Sequence, residues 1–185
     1  MPEIDQWVIN KVFSEFHNIS TDNAGSELVV NINLSGASIN SLKLYDFIKE
    51  KVIEYSIDTT SICFEITETV AVRNLRAATK FINKCNEIGV QFALDDFGTG
   101  VSSFSSLKNM PVDYLKIDGS FVKNIEQDDI DRAMTETINR IGHLLGKKTI
   151  AEFAENKAII EILNDIGVDF AQGYGVCWPT PLIKK

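Results

Sequence analysis

Apolar residues in this chain fall into two alternating patterns, helical stripes and short continuous runs, and the alternation predicts its architecture. Ile4, Trp7, Val8, Val12 and Phe16 form a helical stripe, and the polar stretch His17 to Ser26, with its glycine, reads as a loop. Leu28 to Leu34 is short and β-branched, hence a strand. After Ser35-Gly36 a helix is predicted to about Tyr55 through Leu42, Leu44, Phe47, Ile48, Val52 and Ile53. Ile62 to Thr67 is a second strand. Leu75, Ala78, Phe81, Ile82, Cys85 and Ile88 then make a helix stopped by Gly89. Phe92 to Asp95 and Tyr114 to Ile117 are strands three and four. Ile130, Met134, Ile138, Ile141 and Leu145 mark what should be the longest helix, with Asp128 and Asp129 at its positive end and Gly146 after its last turn. Thr149 to Phe153 is strand five. Ile159, Ile162, Leu163 and Ile166 form a helix closed by Gly167, and Asp169 to Gln172 is strand six.

Strand and helix alternate throughout with no linker or low-complexity tract, which predicts one α/β domain over residues 1–185 with a parallel sheet. Six strands suit an open doubly wound sheet or most of a (β/α)8 TIM-type barrel. In a barrel the functional residues stand at the carboxyl ends of many strands and point into one mouth. Polar residues do so on every strand here: Asn31, Asn33 and Ser35; Glu65 and Thr67; Asp95; Lys116; Glu152; Gln172. A strand buried on both faces should carry no polar residue at all, and each of these is flanked by apolar ones. Any one of them could be a satisfied core group; all of them at one relative place predicts a shared site.

Composition narrows the partners. Hydrophobic residues make up 44% and charged ones 24%, an ordinary soluble balance. A net charge of −8 argues against DNA or RNA binding, which wants a basic face, although metal ions can reverse the local field for a phosphate-containing ligand. The three cysteines, Cys63, Cys85 and Cys177, are isolated, so neither a disulfide framework nor a zinc knuckle is signalled. No run approaches membrane-spanning length and no signal-peptide pattern opens the chain, so the expectation is a cytoplasmic domain without membrane contact.

The chemistry centres on Leu94-Asp95-Asp96-Phe97-Gly98-Thr99-Gly100. Two adjacent carboxylates share a target only where the strand ends, because successive side chains alternate faces. Their mutual repulsion is relieved by a cation between them. Asn33, Glu65, Asp95, Asp96 and Glu152 are hard oxygen donors with no His or Cys among them, a set for Mg²⁺, Mn²⁺ or Ca²⁺ rather than zinc. His17 and His143 fall on helices, away from strand ends. A carboxylate bridge from Asp95 to two cations is the arrangement that activates a water and holds a phosphodiester, with Lys116 placed to orient the water or neutralise phosphorus-bound charge. No Ser-His-Asp, Cys-His or phosphate-loop pattern competes.

Asn33-Leu34-Ser35, Glu65-Ile66-Thr67-Glu68, Asp95 to Gly100, Tyr114-Leu115-Lys116-Ile117-Asp118, Ala151-Glu152 with Glu155, and Gln172-Gly173-Tyr174 together resemble the EAL-domain phosphodiesterases of bacteria in order and spacing. The resemblance implies a TIM-barrel-like fold that binds cyclic di-GMP and hydrolyses one phosphodiester bond to linear pGpG with two Mg²⁺ or Mn²⁺ ions, Ca²⁺ being inhibitory. By position it implies Asn33, Glu65 and Asp95 on the first metal and Asp95 and Asp96 on the second, with Glu152 nearby. Lys116 would contact the attacking water, and Gln172 would line the same pocket beside Asn33 and Lys116. Glu68 would brace the loop from Asp96 to Ser103, which the family links to the metal site and to dimerisation, so a homodimer is expected. Parent proteins of this kind carry sensory or GGDEF-type domains, some tethered to membranes.

The departures are specific. The Glu-Ala-Leu tripeptide that names the family is absent, and Ile4 to Val8 resembles the helix that follows it. The expectation is therefore an incomplete barrel lacking roughly the first quarter of the domain and its strands. Val101 stands where the loop usually has an aromatic, and Phe153-Ala154 separates the two glutamates unusually. The missing carboxylate and arginine leave a second expectation open, a receptor or dimerisation module that binds cyclic di-GMP without hydrolysing it.

Overall fold

The computed structural model describes residues 2–22, 28–39, 41–100 and 107–181. Helix α1 (Pro2–Asp22) leads into β1 (Val30–Asn33), α2 (Gly36–Ile39) and α3 (Leu42–Glu54). A 3₁₀ turn (Thr59–Ser61) precedes β2 (Ile62–Thr67), α4 (Glu68–Arg73), α5 (Leu75–Asn86) and β3 (Gln91–Phe97). There follow β4 (Tyr114–Ile117), α6 (Gly119–Val122), α7 (Asp129–Leu144), β5 (Lys148–Ala151), α8 (Lys157–Ile166) and β6 (Phe170–Ala171). The six strands are all parallel and pair in sequence order, β1 to β6, as successive β/α units of a barrel do. The sheet curls, so that Val29 and Asn31 at one end and Phe170 and Val176 at the other line a single cavity of about 410 Å³. No helix among the described residues is long and apolar enough to cross a membrane.

Each strand has an outer face on the helices and an inner face on the barrel axis. Ile32, Phe64, Ile66, Phe92, Leu94, Leu115 and Ile117 point outward into the main core with Ile48, Phe81, Ile82 and Leu163 from the helices. Cys63, Ala93, Tyr114 and Ile150 form a separate small cluster inside the curl. Both Cys63 and Cys85 are buried packing residues, and burial pushes the Cys85 thiol up to about 12, so it stays protonated.

Several boundaries differ from the sequence expectation for definable reasons. The longest helix is α1 with 21 residues, not α7 with 16, because nothing between His17 and Asp22 breaks it. Its buried face is also rotated: Ile9, Phe13 and Phe16 enter the core, whereas Ile4 and Trp7 are 56% and 67% exposed. What turns it is Asp5, a buried carboxylate that accepts the Ser35 N–H at 3.0 Å and the Ser35 hydroxyl at 2.6 Å, with the Ser38 hydroxyl alongside. Ser35 thus ties α1 to the turn after β1. The single helix expected from Gly36 to Tyr55 is two, since Ser41 adopts an extended backbone as the N-cap of α3.

Candidate active site

The paired aspartates do not end their strand. β3 continues two residues beyond Asp95, and what puts both carboxylates on one side is a bulge. Leu94 is in register with Leu115, yet Phe97, not Asp96, is in register with Ile117, so β3 carries one extra residue. That residue is Asp96, with φ of +56°. The slip returns Phe97 to the outer core and leaves Asp95 and Asp96 together on the inner side. An aspartate tolerates the left-handed region better than most residues, which is why this carboxylate can occupy the bulge.

Lys116 is the centre of the site. It lies on the inner face of β4 and is 2% exposed. Its Nζ stands 3.0 Å from Glu65 Oε2, 2.8 Å from Asp95 Oδ1 and 2.8 Å from Glu152 Oε1. Glu65 comes from β2, Asp95 from β3 and Glu152 from the residue after β5, where its N–H donates to the Ile117 carbonyl at 3.2 Å. Strand five therefore stops before Glu152 rather than at Phe153. One carboxylate oxygen from each of Asp95, Asp96 and Glu152 falls within a 4.8 Å sphere of mutual distance.

Charge in the cluster is unbalanced. Among the described residues Lys116 is the one ammonium ion-paired with Glu65, Asp95 and Glu152, and Asp96 adds a further carboxylate beside them. Burial raises the pKa of Glu65 and of Glu152, against the pull of Lys116. Burial and then the charge of Asp95 raise that of Asp96. For Lys116 burial alone would lower the pKa, but its hydrogen bonds to Asp95 and Glu152 and the charge of Glu65 drive it upward, so the ammonium is held firmly. A surplus of carboxylate oxygens, with no imidazole or thiolate among the donors, fits Mg²⁺, Mn²⁺ or Ca²⁺.

The other expected residues surround this centre. Asn33 closes β1 directly opposite Glu65 in register, on the same inner face. Glu68 sits behind the cluster at the start of α4, buried, with its Oε2 accepting the Gly98 N–H at 3.1 Å. A Cβ on Gly100 would meet the same carboxylate at 3.0 Å, so the segment after β3 closes over Glu68. The rest of the loop, from Val101 to Ser103, lies outside the described residues. Gln172 follows β6 and lines a small cavity with Glu152, Phe153, Glu155 and Tyr174. His143 is remote from the cluster: it pairs with Asp169 at 2.8 Å, near the amino end of β5.

Sequence reasoning did not foresee the Asp5 anchor, nor Asp118, whose side chain caps α6 by accepting the Ser120 N–H at 2.8 Å. An Asp two residues before a Ser at a helix start is a usable signal that was read only as part of a motif. Sequence reasoning places Phe153 at the end of strand five and marks it as a departure from the family pattern, but gives no sign of its backbone: the residue has φ of +54° and is 55% exposed beside Glu152.

Fold and site define a class of parallel β/α barrel domain with an acidic rim built around a buried lysine and suited to hard cations. The EAL domain model matches residues 1–179, and the chain belongs to that family. Cyclic di-GMP phosphodiesterase PdeB of Shewanella oneidensis is 40% identical over 182 residues, covering 98% of this chain and 21% of PdeB. Cyclic di-GMP phosphodiesterase PdeA of Borreliella burgdorferi is 33% identical over 180 residues, covering 97% of this chain and 27% of PdeA. The crystal structure of the EAL domain of Mycobacterium smegmatis DcpA is similar with a TM-score of 0.91 at 30% identity, covering 98% of this chain and 81% of that one. The PaMucR phosphodiesterase in its c-di-GMP complex gives a TM-score of 0.90 at 29% identity, covering 97% and 72%. This chain spans only about a fifth to a quarter of the length of the two curated relatives.

Proposed function

We propose that this chain is the catalytic domain of a cyclic di-GMP phosphodiesterase, cleaving one phosphodiester bond to give linear pGpG with Mg²⁺ or Mn²⁺. The observation that carries the reading is the buried Lys116 ammonium bound by carboxylates from β2, from β3 and from the residue after β5, while a fourth carboxylate, Asp96, adds to a surplus of negative charge. The names of the relatives supply the substrate class. In this reading Asn33, Glu65, Asp95, Asp96 and Glu152 hold the cations. The chemistry those ions supply when bound is activation of water and neutralisation of phosphodiester charge.

The residues of the chain divide the remaining work. Lys116 donates hydrogen bonds to Asp95 and Glu152, fixing their oxygens, and places a positive charge where charge develops on phosphorus. Glu152 is held by Lys116 beside Asp95 and Asp96, and Lys116 contacts the attacking water. Glu68 keeps the Gly98 turn closed against the rim, and Gln172 and Asn33 present amides to the ligand. The test is hydrolysis of cyclic di-GMP with Mg²⁺ or Mn²⁺, followed by separation of product. Asp95→Ala and Glu65→Ala should each lower turnover by about a hundredfold or more, the scale on which metal sites respond to lost partners. Turnover unchanged in both variants would dispose of the mechanism, and tight binding with no product over hours would point instead to a receptor.

A further inference from the structure

Phe153 is a bulky aromatic residue in a backbone conformation that aromatic residues avoid, with φ of +54°. Hydrogen bonds on both sides impose this turn. The Gln172 N–H donates to the Ala151 carbonyl at 2.8 Å, the Ala154 N–H to the Gln172 carbonyl at 3.0 Å, and the Gly175 N–H to the Ala154 carbonyl at 2.8 Å. Gly173 and Gly175 allow the close approach, since a Cβ on either would fall within 2.7 Å of backbone atoms of Ala154. With its neighbours pinned to the strand after β6, residue 153 has no other way to turn, and glycine would suit the position better.

The ring also has a made seat. One side lies against Gly119 at the start of α6, where a Cβ would come within 2.1 Å of Phe153 Cδ2. Yet the residue remains 55% exposed, so the seat does not serve to bury it. The ring instead forms a wall of the cavity of about 190 Å³ that it shares with Glu152, Glu155, Gln172 and Tyr174. That cavity opens beside the Lys116 cluster through Glu152, and it is smaller than the roughly 300 Å³ or more of a typical small-molecule site. Its size and its mix of aromatic wall, amide and carboxylate suit one heterocyclic base.

We infer that the Phe153 ring is a stacking wall for one base of the dinucleotide, held in an unfavourable turn so that it faces the site. The inference rests on the proposed phosphodiesterase reading. An aromatic face takes a base without regard to its hydrogen-bonding edge, so Phe153 supplies affinity and orientation while the polar groups select. Because the ring is one residue removed from the carboxylate that meets Lys116, it positions ligand and takes no part in proton transfer.

Titration calorimetry with cyclic di-GMP and Mg²⁺, together with thermal melting, tests this in wild type, Phe153→Gly and Phe153→Tyr. Phe153→Gly relieves the turn, so its melting temperature should match or exceed that of wild type, while its affinity should fall about tenfold, the size of one lost base stack. Phe153→Tyr should keep wild-type affinity. In steady-state hydrolysis the loss in Phe153→Gly should appear in KM with kcat nearly unchanged, as expected for binding made equally in ground and transition states. Full affinity in Phe153→Gly overturns the stacking wall alone, as does a large drop in its melting temperature, which would make the ring a packing element. No binding of cyclic di-GMP by the wild-type chain overturns the proposed function and the wall together.

Discussion

Replacing Lys116 by methionine removes the one ammonium that Glu65, Asp95 and Glu152 share, at 2.8–3.0 Å, and leaves a side chain of similar length. The lysine is 2% exposed, so water does not screen the loss. Breaking a buried ion pair from one side costs about 3–5 kcal/mol, because the remaining charges stay buried and unmatched. For a chain of this length each kcal/mol moves the melting temperature by about 2–4 °C, which gives a fall of roughly 6–20 °C in a chelator. Divalent cations should then repair what lysine no longer supplies: a ligand at a hundred times its Kd returns about 2.7 kcal/mol. The assay is thermal unfolding by circular dichroism at pH 7.5, with EDTA and then with Mn²⁺, in wild type and Lys116→Met. The expected signature is a larger Mn²⁺-induced rise in the variant than in wild type, with hydrolysis lost under both conditions. Equal Mn²⁺ increments in the two proteins would refute the idea that lysine and cations answer the same surplus of charge.

Two further outcomes follow from the same geometry. Asp5→Ala removes the acceptor of the Ser35 N–H and of the Ser35 and Ser38 hydroxyls, so chemical denaturation should show a loss of about 3 kcal/mol; a change under 0.5 kcal/mol would mean that this anchor is not what orients α1. Glu65 and Glu152 have folded pKa values raised by burial above the ordinary 4.5, so the folded chain takes up protons before the unfolded chain does. In chelator these groups therefore add stability as pH falls from 8 towards 4.5, while Lys116, raised from 10.5, stays charged throughout that window. Protons and cations compete for the same oxygens, so the Mn²⁺-induced rise in melting temperature should shrink between pH 8 and pH 5.5; an increment independent of pH would contradict the assignment.

Most of the sheet was legible because its strands are short, largely apolar runs buried on their outer face. Ile62 to Thr67 and Tyr114 to Ile117 coincide with β2 and β4 residue for residue for that reason. The face that α1 buries was not legible, since Ile4 and Trp7 are as apolar as Ile9 and Phe13; the choice is made by Asp5, whose partners lie 30 or more residues away. The end of β3 was misplaced for a related reason. Strict alternation of side chains lets two adjacent aspartates share a face only where a strand ends, whereas a bulge at Asp96 satisfies both the outer core and the inner site. Backbone choices of this kind leave no trace in residue type when the residue is aspartate, or when, as at Phe153, it is one that the conformation disfavours.

The bulge and the lysine are two halves of one solution. A regular β3 would put Asp96 among Phe97's neighbours in the outer core, where an ionised carboxylate has no partner. Turning it inward adds a fourth carboxylate to a site already holding three, and repulsion there would open the strand ends were Lys116 not bound to Glu65, Asp95 and Glu152 at once. The lysine offsets enough charge for the chain to fold and leaves enough for cations to be attracted. A second buried lysine, Lys147, shows the contrast: it donates to the Met110 and Val112 carbonyls at 2.8 and 2.9 Å, and burial lowers its pKa. Carbonyl partners tie loops together with no surplus of charge; carboxylate partners around Lys116 keep a surplus, and that difference is what makes one buried lysine a staple and the other the centre of a site.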